Sequence, residues 1–482
     1  RDTLARSLRC DKDSSKGRIL VAERTFRCGD RLFEELPLHL VAESPKDPAF
    51  VQLKRLSKLR GFVHAPLWYW AALNSLSGAD CTGCSVKLTP VDAEKQQRLL
   101  MLFHPEPQAP SEDCKAIVDE FWSGLGPAAK AALGLKLESL LAVWLLNCFE
   151  HSEEPVGFST FFLPAFVSHD CRPNCMWHYE GDSFVMRARR DIPQGEEITV
   201  SYLAEESLLE STASRRAQLE ATKHFLCNCA TCSQALDPVR GFRCPGCGKG
   251  DIFLEMVMGS LQPSPRGACG VCGFLPTEAQ AKEMIDQEAR VEECVQEWDR
   301  KVNNAATYLP QDTALRLEKN MAGLFADGHW LRDRVARHLV SFYEALGAAE
   351  EALTFARRCV DFAAKVSCPS QPREQARQVY PGFSALHAWS LETQGDLILR
   401  VAGFGVGPDH VEAPGSVDAS VCREVTGVYS EAAEALWALF GADHEFYVAI
   451  RDKRDALREL CTANGRHSPK DVTNRAKPEE TW

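Results

Sequence analysis

The distribution of cysteine constrains this chain more than any other feature of its sequence. Nine of its twenty cysteines fall between Cys171 and Cys272. They form tight groups, Cys-x-Cys-x-x-Cys at 227–232 and Cys-x-x-Cys at both 244–247 and 269–272. Thiolate metal sites explain this clustering better than disulfides do, and they fit a reducing cell interior. We therefore expect the fold to gather these sulfurs into metal sites.

The two Cys-x-x-Cys groups make a complete set of ligands by themselves. Cys244 and Cys247 precede an apolar stretch, which Cys269 and Cys272 follow, and glycines flank both pairs. Four thiolates form a closed tetrahedral zinc shell. The spacing predicts a zinc ribbon with a short pair of strands between its two halves, and a structural role is expected for its metal.

Composition limits the class of protein. The 482 residues allow two or three domains, and 45% hydrophobic with 25% charged residues is ordinary for a globular protein. The sequence has no apolar run of about 18 residues, so we expect no membrane span. The net charge of −12 argues against direct binding to nucleic acid and suits a basic partner, such as a lysine-rich segment.

Strand and helix patterns occur in blocks. Residues 15–44 are rich in strand signals, whereas residues 45–150 show helical spacing and end in an Ala/Leu-rich helix from about Pro127 to Phe149. A hairpin is predicted over Cys175–Arg189. From about Thr277 onward, amphipathic stripes predict stacked antiparallel helices.

Several motifs in one order resemble the C-terminal half of a SET domain, the fold of one class of protein lysine methyltransferases. His169–Asn174 has the pattern His-x-Cys-x-Pro-Asn, and Gly195–Glu197 is a Gly-Glu-Glu turn. Ile198–Tyr202 is predicted to be a strand that ends in tyrosine, and the cysteines at 227–232 follow. Agreement in order and spacing makes chance an unsatisfactory explanation.

The helical block makes the chain resemble the SET-and-MYND family, whose SET domain is split by an insertion. In many members that insertion begins with a MYND zinc finger of seven cysteines and one histidine. Only Cys81 and Cys84 fall in this window here, and two cysteines cannot fill a four-ligand zinc shell. We predict that the MYND finger is absent and that this pair consists of unmetallated thiols in a turn.

The resemblance and the patterns together predict an α+β protein. It comprises a β-rich SET domain split by a helical insertion, a cysteine-rich post-SET zinc site, a zinc ribbon and a C-terminal α-helical domain. The family implies that this last domain resembles tetratricopeptide repeats. The expected boundaries are 1–44 and 151–206 for the SET domain, 45–150 for the insertion, 207–236 for the post-SET segment, 237–276 for the ribbon, 277–465 for the helical domain and 466–482 for a tail.

The resemblance also implies a binding site for S-adenosylmethionine. Lys16, Gly17 and Arg18 stand where the family has a glycine-bearing turn that approaches the methyl donor, although Ile19 replaces a second glycine. The alternative for this turn is a plain β-hairpin. Asn147 matches a donor-binding asparagine of the family, and the alternative is an asparagine that ends the helix.

Three further residues belong to this implied donor site. Ser168 and His169 stand where the family has an Asn-His pair, so one donor contact is expected to be lost or bridged by water. His169 is interpreted as a binding and shaping residue, with a plain buried histidine as the alternative. Phe225 matches an aromatic that packs on adenine, and the alternative is an ordinary core phenylalanine.

The same resemblance completes the first metal site. Cys227, Cys229 and Cys232 supply three thiolates, and the family takes its fourth ligand from the His-x-Cys motif, which here is Cys171. A closed four-thiolate shell implies a structural zinc ion. With the ribbon, about two zinc ions are expected.

Tyr202 is the residue expected to act in catalysis. In the reaction of this family, a methyl group passes from a sulfonium to a lysine amine by in-line displacement. The amine must be neutral, although the pKa of a free lysine is about 10.4. A narrow apolar channel disfavours the charged form, and a tyrosine hydroxyl with backbone carbonyls can orient the amine and polarise the methyl group. No strong base is needed beside the amine.

The resemblance implies an S-adenosylmethionine-dependent protein-lysine N-methyltransferase. Its substrate would be a protein with an exposed lysine, such as a histone tail, and we expect a monomer in the cytoplasm, the nucleus or both. A different class stays open, because Ile19 and Ser168 depart from the family pattern. In that case the chain is a SET-fold protein with weak or no activity that binds partners through its helical domain.

Overall fold

The computed structural model describes residues 7–255, 264–265, 267–303, 311–365, 384–412 and 418–465. They fall into two compact units. The first holds the residues up to 202 together with 218–226, and the second holds 203–217 and the residues from 227 onward. The predicted tail at 466–482 lies outside the described residues, and the finer division into domains stays a prediction.

The strands of the first unit pair across the predicted insertion. They are β1 (Leu8–Asp13), β2 (Gly17–Ala22), β3 (Arg31–Glu35), β4 (His39–Ala42), β5 (Cys148–Glu153), β6 (Val156–Thr160), β7 (Ser168–His169), β8 (Cys175–Glu180), β9 (Ser183–Ala188) and β10 (Thr199–Val200). β9 lies between β3 and β8, and β6 lies between β4 and β5. Strands from before and after the helical block therefore share two sheets. β1 and β2 form an antiparallel hairpin, and β7 pairs with β10 in parallel.

The helical block contributes to the same core as the strands. Its helices are α1 (Pro48–Arg60), α2 (Pro66–Leu73), α3 (Ala93–Leu100), α4 (Glu112–Phe121) and α5 (Pro127–Asn147). Their apolar residues and those of the sheets form one continuous buried cluster. Trp144 of α5 is fully buried and donates its indole N–H to Ser75 Oγ at 2.8 Å, so its one polar atom is satisfied.

Two predicted elements are shorter than expected. α5 ends at Asn147 rather than Phe149, because Cys148 already pairs with Thr160 in the β5–β6 ladder. The predicted strand over Ile198–Tyr202 is limited to Thr199 and Val200 of β10, because these two residues pair with β7. Tyr202 therefore lies two residues beyond the end of β10, where strand pairing no longer fixes the direction of its side chain.

The second unit combines a small sheet with a series of helices. α6 (Thr212–Lys223) contributes residues 212–217 to it and 218–223 to the first unit. The remaining elements are β11 (Leu236–Arg243), β12 (Asp251–Glu255), β13 (Ser264–Pro265), α7 (Glu278–Asn303), α8 (Gln311–Leu324), α9 (Trp330–Ala345), α10 (Ala349–Lys365), α11 (Ala385–Val401), β14 (Gly405–Val406), β15 (Val411–Glu412), α12 (Ala419–Phe440) and α13 (Glu445–Gly465). From α9 to α13 each helix packs on the next, which agrees with the predicted helical stack.

The helices of the described ranges include none that is both long enough and apolar enough to cross a bilayer.

A buried ion pair joins the small sheet of the second unit to α7. Arg240 Nε and Nη2 donate to Glu288 Oε2 at 2.7 and 2.5 Å, and both side chains are more than 90% buried. Trp330 Nε1 donates to Glu288 Oε1 at 3.1 Å. Burial raises the pKa of Glu288, but a hydrogen bond from His329 and the charge of Arg240 outweigh it and bring that pKa to about 2.

Replacing Glu288 with alanine is expected to destabilise the second unit by about 3–5 kcal/mol, because it leaves Arg240 as an uncompensated buried charge. The depressed pKa means that the stabilisation is present above about pH 4.5 and is lost as the pH falls toward 2. Chemical denaturation at pH 7 measures the loss. Glu283→Ala is the matched control, since Glu283 forms an exposed ion pair with Arg290 on the same helix. Equal denaturation midpoints for the two variants would show that the buried pair contributes nothing.

Candidate active site and metal centres

Tyr202 is held at both its backbone and its hydroxyl. Its backbone N–H donates to His169 Nδ1 at 3.0 Å, and its hydroxyl donates to the carbonyl oxygen of Val167 at 2.7 Å. Burial and the nearby charge of Glu197 raise the pKa of Tyr202 to about 12, so the hydroxyl stays protonated at neutral pH. The residue is nevertheless 40% exposed, which leaves part of its side chain accessible.

His169 connects Tyr202 to a cysteine. Because Nδ1 accepts the backbone N–H of Tyr202, a neutral His169 carries its proton on Nε2. Nε2 lies 3.3 Å from the sulfur of Cys171 and so donates to it. His169 is buried, with both ring nitrogens engaged. This arrangement fits the predicted shaping role and leaves neither nitrogen to serve as a general base.

Three rings form an aromatic cluster beside the hydroxyl. The ring of Phe225 lies 6.1 Å from His169 and 6.3 Å from Tyr202, and the latter two are 5.5 Å apart. His224, the residue after α6, has a φ of 59° and connects the helix to Phe225. Phe225 is only half-buried. Its role toward the adenine of a methyl donor stays a prediction.

A lysine that the sequence did not single out lies against this cluster. Lys223 Nζ is 5.8 Å from the ring centre of Tyr202 and donates to the carbonyl oxygen of Leu146 at 3.2 Å. Burial lowers the pKa of Lys223. The one sequence signal for it was its position two residues before Phe225, which by itself predicts nothing about where its amine lies.

Glu197 is a second residue whose role the sequence did not reveal. Ser168 Oγ donates to Glu197 Oε1, and Lys16 Nζ donates to Oε2 at 2.8 Å. The side chains of Lys16 and Glu197 are 35% and 26% exposed, so a ligand can reach both. The structure thus brings together two predicted donor-site residues, Lys16 and Ser168, through a carboxylate that was noted only as part of the Gly-Glu-Glu turn.

Backbone pairing holds Glu197 in this position. The N–H of Ala22 donates to the carbonyl of Glu196 at 2.9 Å, and the N–H of Ile198 donates to the carbonyl of Leu20 at 2.8 Å. Asn174, which is 1% exposed, donates its amide to the carbonyl of Glu197 at 2.7 Å. The Pro-Asn of the motif therefore acts by fixing the turn that carries the carboxylate.

Gly17 and Arg18 have separate structural functions. Gly17 has a φ of 79° and is the first residue of β2, where it pairs with Asp13, so its backbone closes a β-hairpin. The guanidinium of Arg18 lies 4.4 Å above the ring of Phe166 and donates to the carbonyl oxygen of Met101. A role for either residue in donor binding stays a prediction.

Asn147 is the last residue of α5 and is buried. Its side-chain amide donates to the carbonyl oxygens of Val143 and Phe103, each at 2.8 Å. The first bond caps the end of the helix, as the structural alternative predicted, and the second ties the helix to the segment after α3. Its role toward a methyl donor stays a prediction.

The four cysteines of the predicted ribbon form a compact group. Cys244, Cys247, Cys269 and Cys272 have sulfurs within 4.8 Å of one another, with Cys244–Cys272 at 3.6 Å and Cys247–Cys269 at 3.8 Å. A tetrahedron with Zn–S bonds of about 2.3 Å has sulfur–sulfur edges of about 3.8 Å. The group therefore has the dimensions of a four-thiolate zinc shell.

The two halves of this group have the same backbone geometry. The N–H of Gly248 donates to the carbonyl of Cys244, and the N–H of Gly273 donates to the carbonyl of Cys269, each at 2.8 Å. Both glycines have positive φ, at 64° and 72°. The N–H groups of Gly250 and Lys249 lower the pKa of the Cys247 thiol to about 6, which favours the thiolate that a metal requires.

The other predicted set, Cys171, Cys227, Cys229 and Cys232, also has its sulfurs within 4.8 Å of one another. Cys171, Cys227 and Cys232 are buried. The two groups could each hold a metal ion, and four thiolates favour zinc. Among the described residues, Cys81 and Cys84 belong to neither group.

Two consecutive arginines support the loop of the Cys-x-Cys-x-x-Cys motif. Arg216 Nε donates to the carbonyl of Cys227 at 2.9 Å, and its Nη2 donates to the carbonyl of Cys232 at 3.1 Å. Arg215 Nη2 lies 3.8 Å from the sulfur of Cys232. Both arginines are buried, and their hydrogen bonds orient this loop.

The comparison with protein families decides the nature of the first unit. Residues 17–203 match the family model of the SET domain. The chain contains a SET domain. The match begins at Gly17 and ends one residue after Tyr202, so it includes β2, the helical block and the His169 motif.

The relatives with similar SET domains include SMYD proteins, so the chain is SMYD-like. It is 44% identical over 135 residues to SET domain-containing protein SmydA-8, isoform B, of Drosophila melanogaster, which covers 26% of this chain and 29% of that protein. It is 25% identical over 322 residues to Histone-lysine N-methyltransferase SMYD1 of Homo sapiens, covering 62% and 59%. It is 35% identical over 79 residues to Histone-lysine N-methyltransferase SMYD3 of Homo sapiens, covering 16% and 18%. The matches thus span less than two thirds of each of these relatives.

Proposed function

We propose that this chain is an S-adenosylmethionine-dependent protein-lysine N-methyltransferase. The observation that carries the proposal is the position of Tyr202 in the SET domain, with its hydroxyl bound to the carbonyl of Val167 and its ring beside Phe225. Two relatives are named histone-lysine N-methyltransferases, which favours the enzyme over an inactive SET-fold scaffold.

Tyr202 would act as a neutral hydroxyl. Its hydroxyl donates a hydrogen bond to the carbonyl of Val167, which leaves the lone pairs of its oxygen to accept from an incoming methyl group or amine. His169 fixes the Tyr202 backbone, because their hydrogen bond leaves little freedom at that position. These two hydrogen bonds hold Tyr202 in one orientation, and correct orientation of the reacting groups is the main requirement of an in-line transfer.

The residues around Glu197 fit the amino-acid end of the methyl donor. S-Adenosylmethionine supplies a methyl group activated by a sulfonium, and its other end carries an ammonium and a carboxylate. Glu197 and Lys16 offer the two complementary charges side by side, and Ser168 orients the carboxylate of Glu197. Phe225 offers a half-buried aromatic face to the adenine. Ser168 thereby compensates for the missing asparagine by acting through Glu197.

The substrate is proposed to be a protein with an exposed lysine. The site is open at Tyr202, and the net charge of −12 favours a basic segment such as a histone tail. We propose that the chain acts as a monomer in the cytoplasm, the nucleus or both.

Calorimetric titration of the zinc-loaded chain with S-adenosylmethionine tests the proposal. One-site binding in the micromolar range is expected, which corresponds to about −8 kcal/mol. Glu197→Gln is expected to weaken this binding about tenfold, because it removes a charge-assisted contact. It should leave binding of 5′-methylthioadenosine, which lacks the amino-acid end, unchanged.

Glu23→Gln serves as the matched control, since Glu23 forms an exposed ion pair with Arg9 on the same hairpin. An unchanged affinity for S-adenosylmethionine in Glu197→Gln would remove Glu197 from the donor site. Absence of binding by the folded, zinc-loaded wild-type chain would overturn the methyltransferase proposal itself.

A further inference from the structure

The amine of Lys223 occupies the surroundings that the reaction requires for an acceptor lysine. It lies 5.8 Å from the ring centre of Tyr202, the ring that also neighbours those of His169 and Phe225. Its hydrogen bond to the carbonyl of Leu146, at 3.2 Å, orients the nitrogen. A lysine amine of the substrate needs the same features, which are an aromatic wall, a backbone carbonyl and restricted access to water.

In the described part of the chain, Lys223 contacts the carbonyl of Leu146 and the ring of Tyr202, and the charge of Cys148 opposes the effect of burial on its pKa. Its hydrogen bond is to an uncharged carbonyl, and burial favours the neutral form of the amine. Lys16, by contrast, is held by the carboxylate of Glu197 at 2.8 Å, and an amine in such an ion pair would have to leave it before it could attack a methyl group. Of these two lysines close to Tyr202 and Glu197, Lys223 is therefore the better nucleophile.

We propose that Lys223 is a methyl acceptor of this enzyme, modified by its own active site. The proposal rests on the proposed function, since it needs the same sulfonium methyl donor. The methyl carbon forms a bond to the Lys223 nitrogen while its bond to the sulfonium sulfur breaks. The sulfur keeps the electron pair and becomes a neutral thioether, and the amine proton goes to solvent. Charge and atoms balance without a further reactant.

The decisive experiment incubates the full zinc-loaded chain with methyl-labelled S-adenosylmethionine and no other substrate. Proteolysis and tandem mass spectrometry then locate the label. We expect labelled Lys223, with a first-order rate that does not change over a tenfold dilution of the protein, because transfer is within one chain. Tyr202→Phe should slow the labelling, whereas Lys115→Arg, which replaces an exposed lysine paired with Glu112, should not.

A second measurement does not depend on turnover. Acylation by a limiting amine-selective reagent at pH 7, without any donor, should modify Lys223 faster than Lys115, because a buried amine with a lowered pKa is more often neutral. Preincubation with a lysine-containing acceptor peptide should protect Lys223 from the reagent. Faster reaction at Lys115 and no protection by the peptide would contradict the inference.

The outcomes separate the inference from the function on which it rests. A chain that binds the donor and methylates a peptide, yet leaves Lys223 unlabelled, overturns the inference and retains the methyltransferase. A chain that neither binds the donor nor transfers the label to any lysine overturns both. A labelling rate that increases with protein concentration would show transfer between chains. This result would also contradict modification of Lys223 by the active site of its own chain.

Discussion

Replacing Tyr202 with phenylalanine is expected to lower the proposed methyl transfer by about 100-fold, the usual cost of removing one preorganised polar group at a reacting centre. The hydroxyl donates to Val167, and its oxygen is the polar atom that the mechanism directs at the acceptor. Phenylalanine keeps the ring and so preserves packing against Phe225 and His169. Label transfer to a peptide under saturating donor measures the loss, with turnover falling more than donor affinity.

Tyr179→Phe is the matched control for this change. Its hydroxyl is part of a hydrogen bond with Ser159 in the same unit, at 3.1 Å, and has no place in the proposed mechanism. Because the pKa of Tyr202 is about 12, ionisation of this residue should not shape the pH profile of the wild-type enzyme below that value. Turnover by Tyr202→Phe equal to that of the wild type would exclude the hydroxyl from the reaction.

Replacing Cys269 with serine is expected to remove one of about two zinc ions and to unfold the chain around the ribbon cysteines. Structural zinc contributes roughly 10–16 kcal/mol of binding free energy in small zinc-binding peptides, and that energy is also folding energy. The hydrophobic core of the ribbon is small, because its fully buried residues are Cys244, Cys269 and Ile252. Zinc content by mass spectrometry and limited proteolysis between β11 and α7 measure the two effects.

Cys294→Ser is the control for the ribbon variant, because Cys294 is exposed on α7 and lies in neither metal group. It should keep the full zinc content and the resistance to proteolysis. A Cys269→Ser protein with undiminished zinc would show that the metal does not depend on this four-thiolate shell.

The sequence was most informative where a chemical requirement acts over a short stretch of chain. The Cys-x-x-Cys spacings predicted the ribbon group, because two knuckles of this kind present their sulfurs in only a few ways. Pro127 begins α5 as expected, since proline fits the first turn of a helix. The SET motif around His169 was likewise identified from residues close together in the chain, and the family comparison agrees with it.

The sequence was least informative about side chains that function through distant neighbours. Ser168 looked like a weakened donor contact, but it orients Glu197, which also binds Lys16. Asn147 matched a donor ligand, whereas its amide is bonded to two backbone carbonyls. Glu197 is 29 residues from Ser168, and Phe103 is 44 residues from Asn147, so no local pattern could identify these two partners. The role of either residue toward a methyl donor stays a prediction.

By itself, the sequence determined the ribbon cysteine group and the C-terminal helical stack, because these depend on spacing and periodicity within short segments. Its resemblance to SET proteins supplied the fold class and the inclusion of Cys171 in the other cysteine group. Only the tertiary structure decided that the turn at Glu197 meets β2 beside Lys16, and that Lys223 turns its amine toward Tyr202. The physical reason is that backbone pairing and helix packing place segments far apart in the chain side by side. The environment of a charge, and with it the chemistry of a lysine amine, depends on those neighbours.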